Sequence, residues 1–367
     1  MTRRRQNLML NWLLIFVPVA IGLQYLSPSS HTLIFLASCL AIVPLAGWLG
    51  RATEELAHYT GEGVGGLLNA TFGNAAELII AVMALRSGLY AVVKASLTGS
   101  IIGNILLVLG AAYLAGGIRH KEQTFNTTAA RAQATLLTLA AIALIMPAAF
   151  HHLAGPAGRF SEHDLSLEIS IVLLITYAAH LWFSLGTHKQ LFAGELPASE
   201  ATRENVWSIR DSVLALAGAT ALIAWVSEIL VGSVEEAAAA FGMTRVFLGV
   251  IVVAVVGNAA EHSTAVMMAL KNRMELSMGI AIGSSLQIAL FVAPLLLIVS
   301  HFIGPRPMDL VFTPAEVLAV FLAVLITGQI ASDGKSNWLE GAQLLAVYLI
   351  MAVVFYFLPE VSGTAGK

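Results

Sequence analysis

The chain carries one cysteine, Cys39, among 367 residues. That excludes an intramolecular disulfide and any cysteine-ligated zinc or redox centre. Charge is also scarce: Asp, Glu, Lys and Arg make up 11% of the residues, where a soluble domain has about 25%. The net charge of -3 is mild, and no basic stripe with interleaved aromatics offers a nucleic acid a place to bind. H-E-x-x-H, Walker A and G-x-S-x-G patterns are all missing. The run Gly61 to Gly66 satisfies G-x-G-x-x-G, but it follows no strand and leads into an apolar stretch, so a dinucleotide site is not expected. The chain therefore reads as no enzyme, with no resident cofactor.

What is present is hydrocarbon. The residues are 58% hydrophobic and the mean hydropathy is +0.83, which points to a polytopic membrane protein. Eleven spans fit: Leu8–Leu26, Thr32–Gly50, Val64–Leu85, Leu89–Gly117, Thr128–Phe150, Leu167–Leu185, Ile209–Val231, Val246–Leu270, Leu276–Phe302, Pro314–Ala331 and Leu339–Leu358. Arg3, Arg4 and Arg5 precede the first span, which reads as a retained helix rather than a cleaved signal. With the N-terminus inside, thirteen of the 19 Lys and Arg residues fall on the cytoplasmic side, as the positive-inside rule requires. The expected fold class is an all-α membrane protein with eleven transmembrane helices. It comprises an N-terminal helix (1–31), repeat 1 (32–187), a cytosolic linker (188–207), repeat 2 (208–358) and a tail (359–367). An odd number of spans per repeat inserts the two halves in opposite senses, the inverted-repeat plan of many secondary transporters.

The repeat is legible in the residues. Gly-Asn-Ala-Ala-Glu occurs at Gly73 to Glu77 and again at Gly257 to Glu261, 184 positions apart. Gly99-Ser100 and Gly283-Ser284 share that offset, and Asn104 pairs with Gln287 after a one-residue slip. The acidic pair Glu54-Glu55 is echoed by Glu235-Glu236. A carboxylate in hydrocarbon is costly and marks a functional site by default. Asn74 and Glu77 are i and i+3, as are Asn258 and Glu261, so each pair is expected to share a helix face. With helix-loosening Gly73 and Gly257 ahead of them, these four make an all-oxygen donor set. Such a set suits a hard cation such as Ca²⁺. Two carboxylates neutralise one divalent cation. Once it leaves, they cannot both stay ionised in a low dielectric and would take up protons instead. Competition of that kind is what an antiporter needs.

Ser100, Asn104, Ser284, Ser285 and Gln287 are polar residues in apolar helices. They either line the ion path or serve as interhelical hydrogen bonds. His262 follows Glu261 and is either a proton relay or a histidine bonded to a neighbouring helix. His180, mid-span, has the same two readings. Glu54, Glu55, Glu235 and Glu236 would attract cations at the two mouths or simply face solvent.

Three segments, Gly65 to Glu77, Gly257 to His262 and Asp333 to Gly341, resemble the cation/proton exchanger (CAX) family of the calcium/cation antiporter superfamily. The resemblance covers nearly the whole chain. It implies eleven helices, two inverted five-helix repeats and Ca²⁺ export in exchange for H⁺. It places the family's central acids on Glu77 and Glu261, its asparagines on Asn74 and Asn258 and its second-motif histidine on His262. The acidic linker of the family is only weakly represented in 188–207. A long regulatory tail of the plant kind is lacking, which leans toward a prokaryotic plasma membrane with the N-terminus cytoplasmic. The expected partners are Ca²⁺, H⁺ and the lipid bilayer, with room for a homo-oligomer. Exchange of Na⁺ for Ca²⁺, transport of Mn²⁺ or other divalents, and a passive cation channel are the alternatives.

Overall fold

The computed structural model describes residues 11–158, 161–191 and 207–359. The arginines at 3–5, most of the expected linker and the end of the tail lie outside them. Twelve helical segments position the site. They are α1 (Phe16–Leu26), α2 (His31–Phe72), α3 (Ala75–Arg86), α4 (Tyr90–His120), α5 (Thr127–Gly158), α6 (Glu162–Trp182), α7 (Ile209–Phe241), α8 (Arg245–Gly257), α9 (Ala259–Leu270), α10 (Met274–Ser300), α11 (Pro314–Ile330) and α12 (Trp338–Phe357).

Among the described residues, seven helices are long and apolar enough to cross a membrane, and α8 with α9 counts as an eighth if that bent pair is one span. Leu13–Leu26 and Pro314–Ile330 are apolar but shorter. The 42 residues of α2 would extend about 63 Å if straight, twice a hydrocarbon core. They are not straight: a Cβ placed on Gly65 would come within 2.7 Å of the Ala57 carbonyl oxygen, so the chain folds back between them. The sequence reading placed separate spans on either side of this turn.

The motif segments break their helices. Asn74 (φ -100°, ψ 24°) interrupts the path from α2 into α3, and Asn258 (φ -91°, ψ 5°) separates α8 from α9, which diverge by 62°. Asn74 and Glu77 therefore do not share the face of one continuous span, as the spacing had suggested. Each asparagine instead caps the short helix whose first turn carries the glutamate. The helix dipole there favours a carboxylate.

Turns of π-helix interrupt α4 at Gly103–Val108 and α10 at Ile288–Val292. Such turns accommodate one extra residue and recur at functional sites. They fall where the internal repeat slips by one position. Another π-helical turn, Leu248–Val253, sits in α8 just before the second motif.

Two apolar clusters hold the bundle. The first half of α2 packs on α7 through Ile42, Leu45 and Leu49 against Ile223, Val226 and Leu230. A larger cluster joins α4, α10, α11 and α12. The outer faces stay apolar and exposed, with Ile175 at 65% and Ile350 at 63%, as suits a surface facing lipid.

The fold is not purely helical. β1 (Glu122–Thr124) pairs antiparallel with β2 (Lys335–Asn337). Gln123 then ties this ribbon to α9, donating to Ala269 O at 2.9 Å. The Asp333 to Gly341 segment proves structural. Asn337 accepts from the amides of Leu339 and Glu340, and Glu340 accepts from Asn337 N, so the segment closes a capping box on α12. At the other end of the bundle, Lys94 bonds Asp309 at 2.9 Å and Val311 O at 2.7 Å. Burial pushes the Asp309 carboxyl up, but the Lys94 charge and the hydrogen bonds from Lys94 and Val311 N–H outweigh it and hold it below its ordinary value.

The crossing of α4 and α12 depends on glycine. A Cβ on Gly341 would meet the Gly110 carbonyl oxygen at 2.6 Å. Gly341→Leu should overpack this crossing by about 1–3 kcal/mol or more and lower the melting temperature in detergent. An unchanged melting temperature would show that the two helices are not pressed together there.

Candidate functional site

The two helix breaks meet at the centre of the bundle, and each is braced by the opposite half of the chain. Asn74 Nδ2 donates to Gln287 Oε1 at 2.5 Å, and Ser284 Oγ donates to Asn74 Oδ1 at 2.8 Å. Asn258 Nδ2 donates to Ser100 Oγ at 2.9 Å and to Ala254 O at 2.9 Å. Asn104 Nδ2 approaches Asn258 Oδ1 at 3.5 Å. Both asparagines are 1% exposed, so unpaired amides here would be costly. Four of the five polar residues singled out in α4 and α10, Ser100, Asn104, Ser284 and Gln287, are thus partners of the motif asparagines.

The glycines do the same work by their lack of a side chain. A Cβ on Gly257 would stand 3.1 Å from Glu77 Cγ, and one on Gly73 would stand 3.3 Å from Glu261 Oε1. Each motif glycine is therefore the seat of the other motif's carboxylate. Each carboxylate has one buried oxygen, Glu77 Oε2 and Glu261 Oε2, with no hydrogen-bond partner among the described residues. A buried carboxylate oxygen without a donor fits a place that a cation or a proton occupies. Among the described residues no group of three or more His, Cys, Asp or Glu side chains could hold a metal ion. The donor set is two carboxylates with neutral oxygens around them.

The two acids face different spaces. An open cavity of about 950 Å³ runs from Trp48, Arg51, Glu54 and Glu55 down to Gly73, Gly257, Glu261, Ser284 and Gln287. Glu77 instead borders an enclosed void of about 10 Å³, room for a single water, lined also by Ser96, Ser100 and Val253. From one end of the bundle, solvent reaches Glu261. On the opposite side the site is closed.

Other expected residues sit elsewhere. His262 lies against Asn104, its Nε2 3.2 Å from Asn104 Oδ1, and borders neither of these two spaces. Ser285 is fully buried and donates to Ala281 O at 3.1 Å and across to Ile101 O at 3.3 Å, so it joins α10 to α4. Glu54 and Glu55 do border the open cavity, but Glu55 is 4% exposed and accepts from Trp207 N at 3.3 Å, beside Arg51 at 4.0 Å. It anchors the chain re-entering at Trp207. Glu235 pairs with Arg245 at 2.9 Å on the surface, and neither it nor exposed Glu236 lines the open cavity. Asn69, Gln133 and Glu275 also border that cavity and were not singled out from the sequence. Their polarity inside or beside apolar runs was the available signal.

The sodium/calcium exchanger protein family matches residues 30–186 and 212–357, and the chain belongs to it. Within that class its relatives are specific. The chain is 47% identical over 364 residues to a Ca²⁺/H⁺ antiporter of Aphanothece halophytica, covering 95% of this chain and 96% of that protein. It is 45% identical over 349 residues to the Ca²⁺/H⁺ antiporter ChaA of Bacillus subtilis strain 168, covering 94% and 98%. The structure of native YfkE superposes with a TM-score of 0.82 at 42% identity, covering 96% of this chain and 99% of that one.

The reciprocal seating can be tested at the glycines. Gly257→Ala should crowd Glu77 and Gly73→Ala should crowd Glu261, each costing about 1–3 kcal/mol, or roughly tenfold in the KM for the transported cation. Wild-type KM in both variants would disprove the seating.

Proposed function

We propose that this protein is a secondary transporter that exchanges Ca²⁺ for H⁺ across a membrane, with Glu77 and Glu261 as the shared site for which the two ions compete. The observation that carries this reading is the pair of buried, partnerless carboxylate oxygens held at crossed helix breaks within a bundle of apolar helices. Relatives named Ca²⁺/H⁺ antiporters at 47% and 45% identity support the choice of ions.

The mechanism follows from charge. Ca²⁺ entering the cavity meets Glu261 first, then Glu77, with the Asn74 and Asn258 amides fixing the geometry around it. Two carboxylates offset its charge in the low dielectric. Protons arriving from the other side neutralise the same two groups and release it, because both acids cannot remain ionised side by side without a cation. The doubly protonated, neutral site is then free to reorient. Ca²⁺ is the substrate; no resident cofactor takes part.

The membrane arrangement we propose has eleven spans: α1, the first half of α2, the second half of α2 with α3, α4, α5, α6, α7, α8 with α9, α10, α11 and α12. An N-terminal helix precedes two inverted five-helix repeats, and the crossed bracing of Asn74 by Ser284 and Gln287, and of Asn258 by Ser100 and Asn104, supports that division. The charge bias of the loops supports a cytoplasmic N-terminus. The open cavity then faces the cytoplasm, in what we take to be a prokaryotic plasma membrane.

Uptake of ⁴⁵Ca²⁺ into proteoliposomes at zero sodium should follow an imposed pH gradient. It should be lost in Glu77→Gln and in Glu261→Gln while both variants keep the parental gel-filtration and melting profiles. Normal transport by either variant would remove that acid from the site. A strict sodium requirement would move the protein to Na⁺/Ca²⁺ exchange, and flux indifferent to both gradients would make it a channel.

A further inference from the structure

The closed and the open side of the site are built from corresponding residues. On the closed side, α4 lies directly on the π-helical stretch of α8. A Cβ on Gly99 would collide with the Val250 backbone, and one on Gly249 would meet Ala95 Cβ at 2.6 Å and Val92 O at 3.0 Å. Behind this contact Glu77 borders the small void of about 10 Å³ beside Ser96 and Ser100.

The 184-residue offset maps this seal onto the open side. Gly99 corresponds to Gly283, Ala95 to Gly279, Gly249 to Gly65 and Val250 to Gly66. In the structure these counterparts stand apart. Gly66, Gly279 and Gly283 all line the open cavity, and a Cβ on Gly279 or Gly283 would meet nothing within 4 Å. A Cβ on Gly66 would meet only the tip of the Leu185 side chain, which can swing. All four counterparts are glycine, whereas the closed seal has two. Glycine in the interior of α10 weakens the helix and fills no space here, so the present conformation gives it no purpose. A second conformation does, because backbones can approach that closely only where side chains are absent.

We propose that Gly279 and Gly283 of α10 form the second seal, docking on Gly65 and Gly66 of α2 to close the large cavity when the Gly99–Val250 and Ala95–Gly249 contacts part. This rests on the alternating-access reading above. It assigns the residues that exclude cytoplasmic solvent from Glu261 while Ca²⁺ leaves on the far side.

The test compares glycines that the present structure makes equivalent. Gly218 of α7 also has nothing within 4 Å of a built Cβ. A Cβ at any of the three positions meets nothing within 4 Å now, and only the second conformation distinguishes them. In proteoliposomes, Gly283→Val and Gly279→Val should lower pH-driven ⁴⁵Ca²⁺ uptake at least tenfold, with Gly218→Val within twofold of the parent. Uptake within twofold of the parent in Gly283→Val and Gly279→Val would overturn the assignment.

Labelling separates a jammed seal from a collapsed fold. In a Cys39→Ala background, the thiol introduced by Ala260→Cys lines the open cavity, within reach of a membrane-impermeant maleimide. Saturating Ca²⁺ on the far side should slow labelling in the parent. Labelling should stay at its maximal rate in Gly283→Val, with the parental melting profile. Protection of the thiol in Gly283→Val as strong as in the parent would refute the seal. If the parent itself showed no proton-driven uptake, the antiport reading would fall, and the labelling comparison would still decide whether these glycines close the cavity.

Discussion

Everything in this molecule is arranged around two helix breaks placed in hydrocarbon. A break exposes amide groups where no water can satisfy them, so it survives only if protein supplies the partners. Here each break is supplied by the other half of the chain. Asn74 is held by Ser284 and Gln287 of α10, and Asn258 by Ser100 and Asn104 of α4. Neither half can make the site alone. The motif glycines carry the same logic into packing, because each leaves room for the carboxylate of the opposite motif.

That mutual dependence makes the site symmetric in composition, while its surroundings are not. Solvent reaches Glu261 through a large cavity, and Glu77 sits behind it against a void the size of one water. The asymmetry is imposed by packing: α4 is pressed onto α8, and its counterpart α10 stands away from α2. On the proposed alternating-access reading this is one half of a transport cycle, and the other half would use the same pairs of residues with the roles of the two sides exchanged.

The family membership and the geometry meet at the carboxylates. A membrane protein tolerates buried acids only where they are neutralised, and the orphan oxygens of Glu77 and Glu261 lack any protein donor among the described residues. In the proposed mechanism their partners are the transported ions. Their number fits as well: two carboxylates balance one divalent cation or two protons. His262 stands beside this pair with its ring against Asn104.

Much of this was legible in the chain itself. Scarce charge and long apolar runs determined a membrane protein, and the repeated pentapeptide determined that Glu77 and Glu261 belong together. Those are properties of composition and spacing, which solvent physics reads directly. Spacing misleads where the backbone leaves the regular helix: the i, i+3 spacing of Asn74 and Glu77 predicts one helical face, but the break turns the asparagine across to α10. Only the tertiary structure decided what each polar side chain touches. It put Ser285 in an interhelical bond, Glu55 under Trp207, Glu235 on Arg245 and Gln287 on Asn74. Sequence distances of 152 residues for Glu55 and Trp207 and 213 for Asn74 and Gln287 separate such partners. A local pattern holds no information about which distant segment will arrive, since that is settled by how whole helices pack.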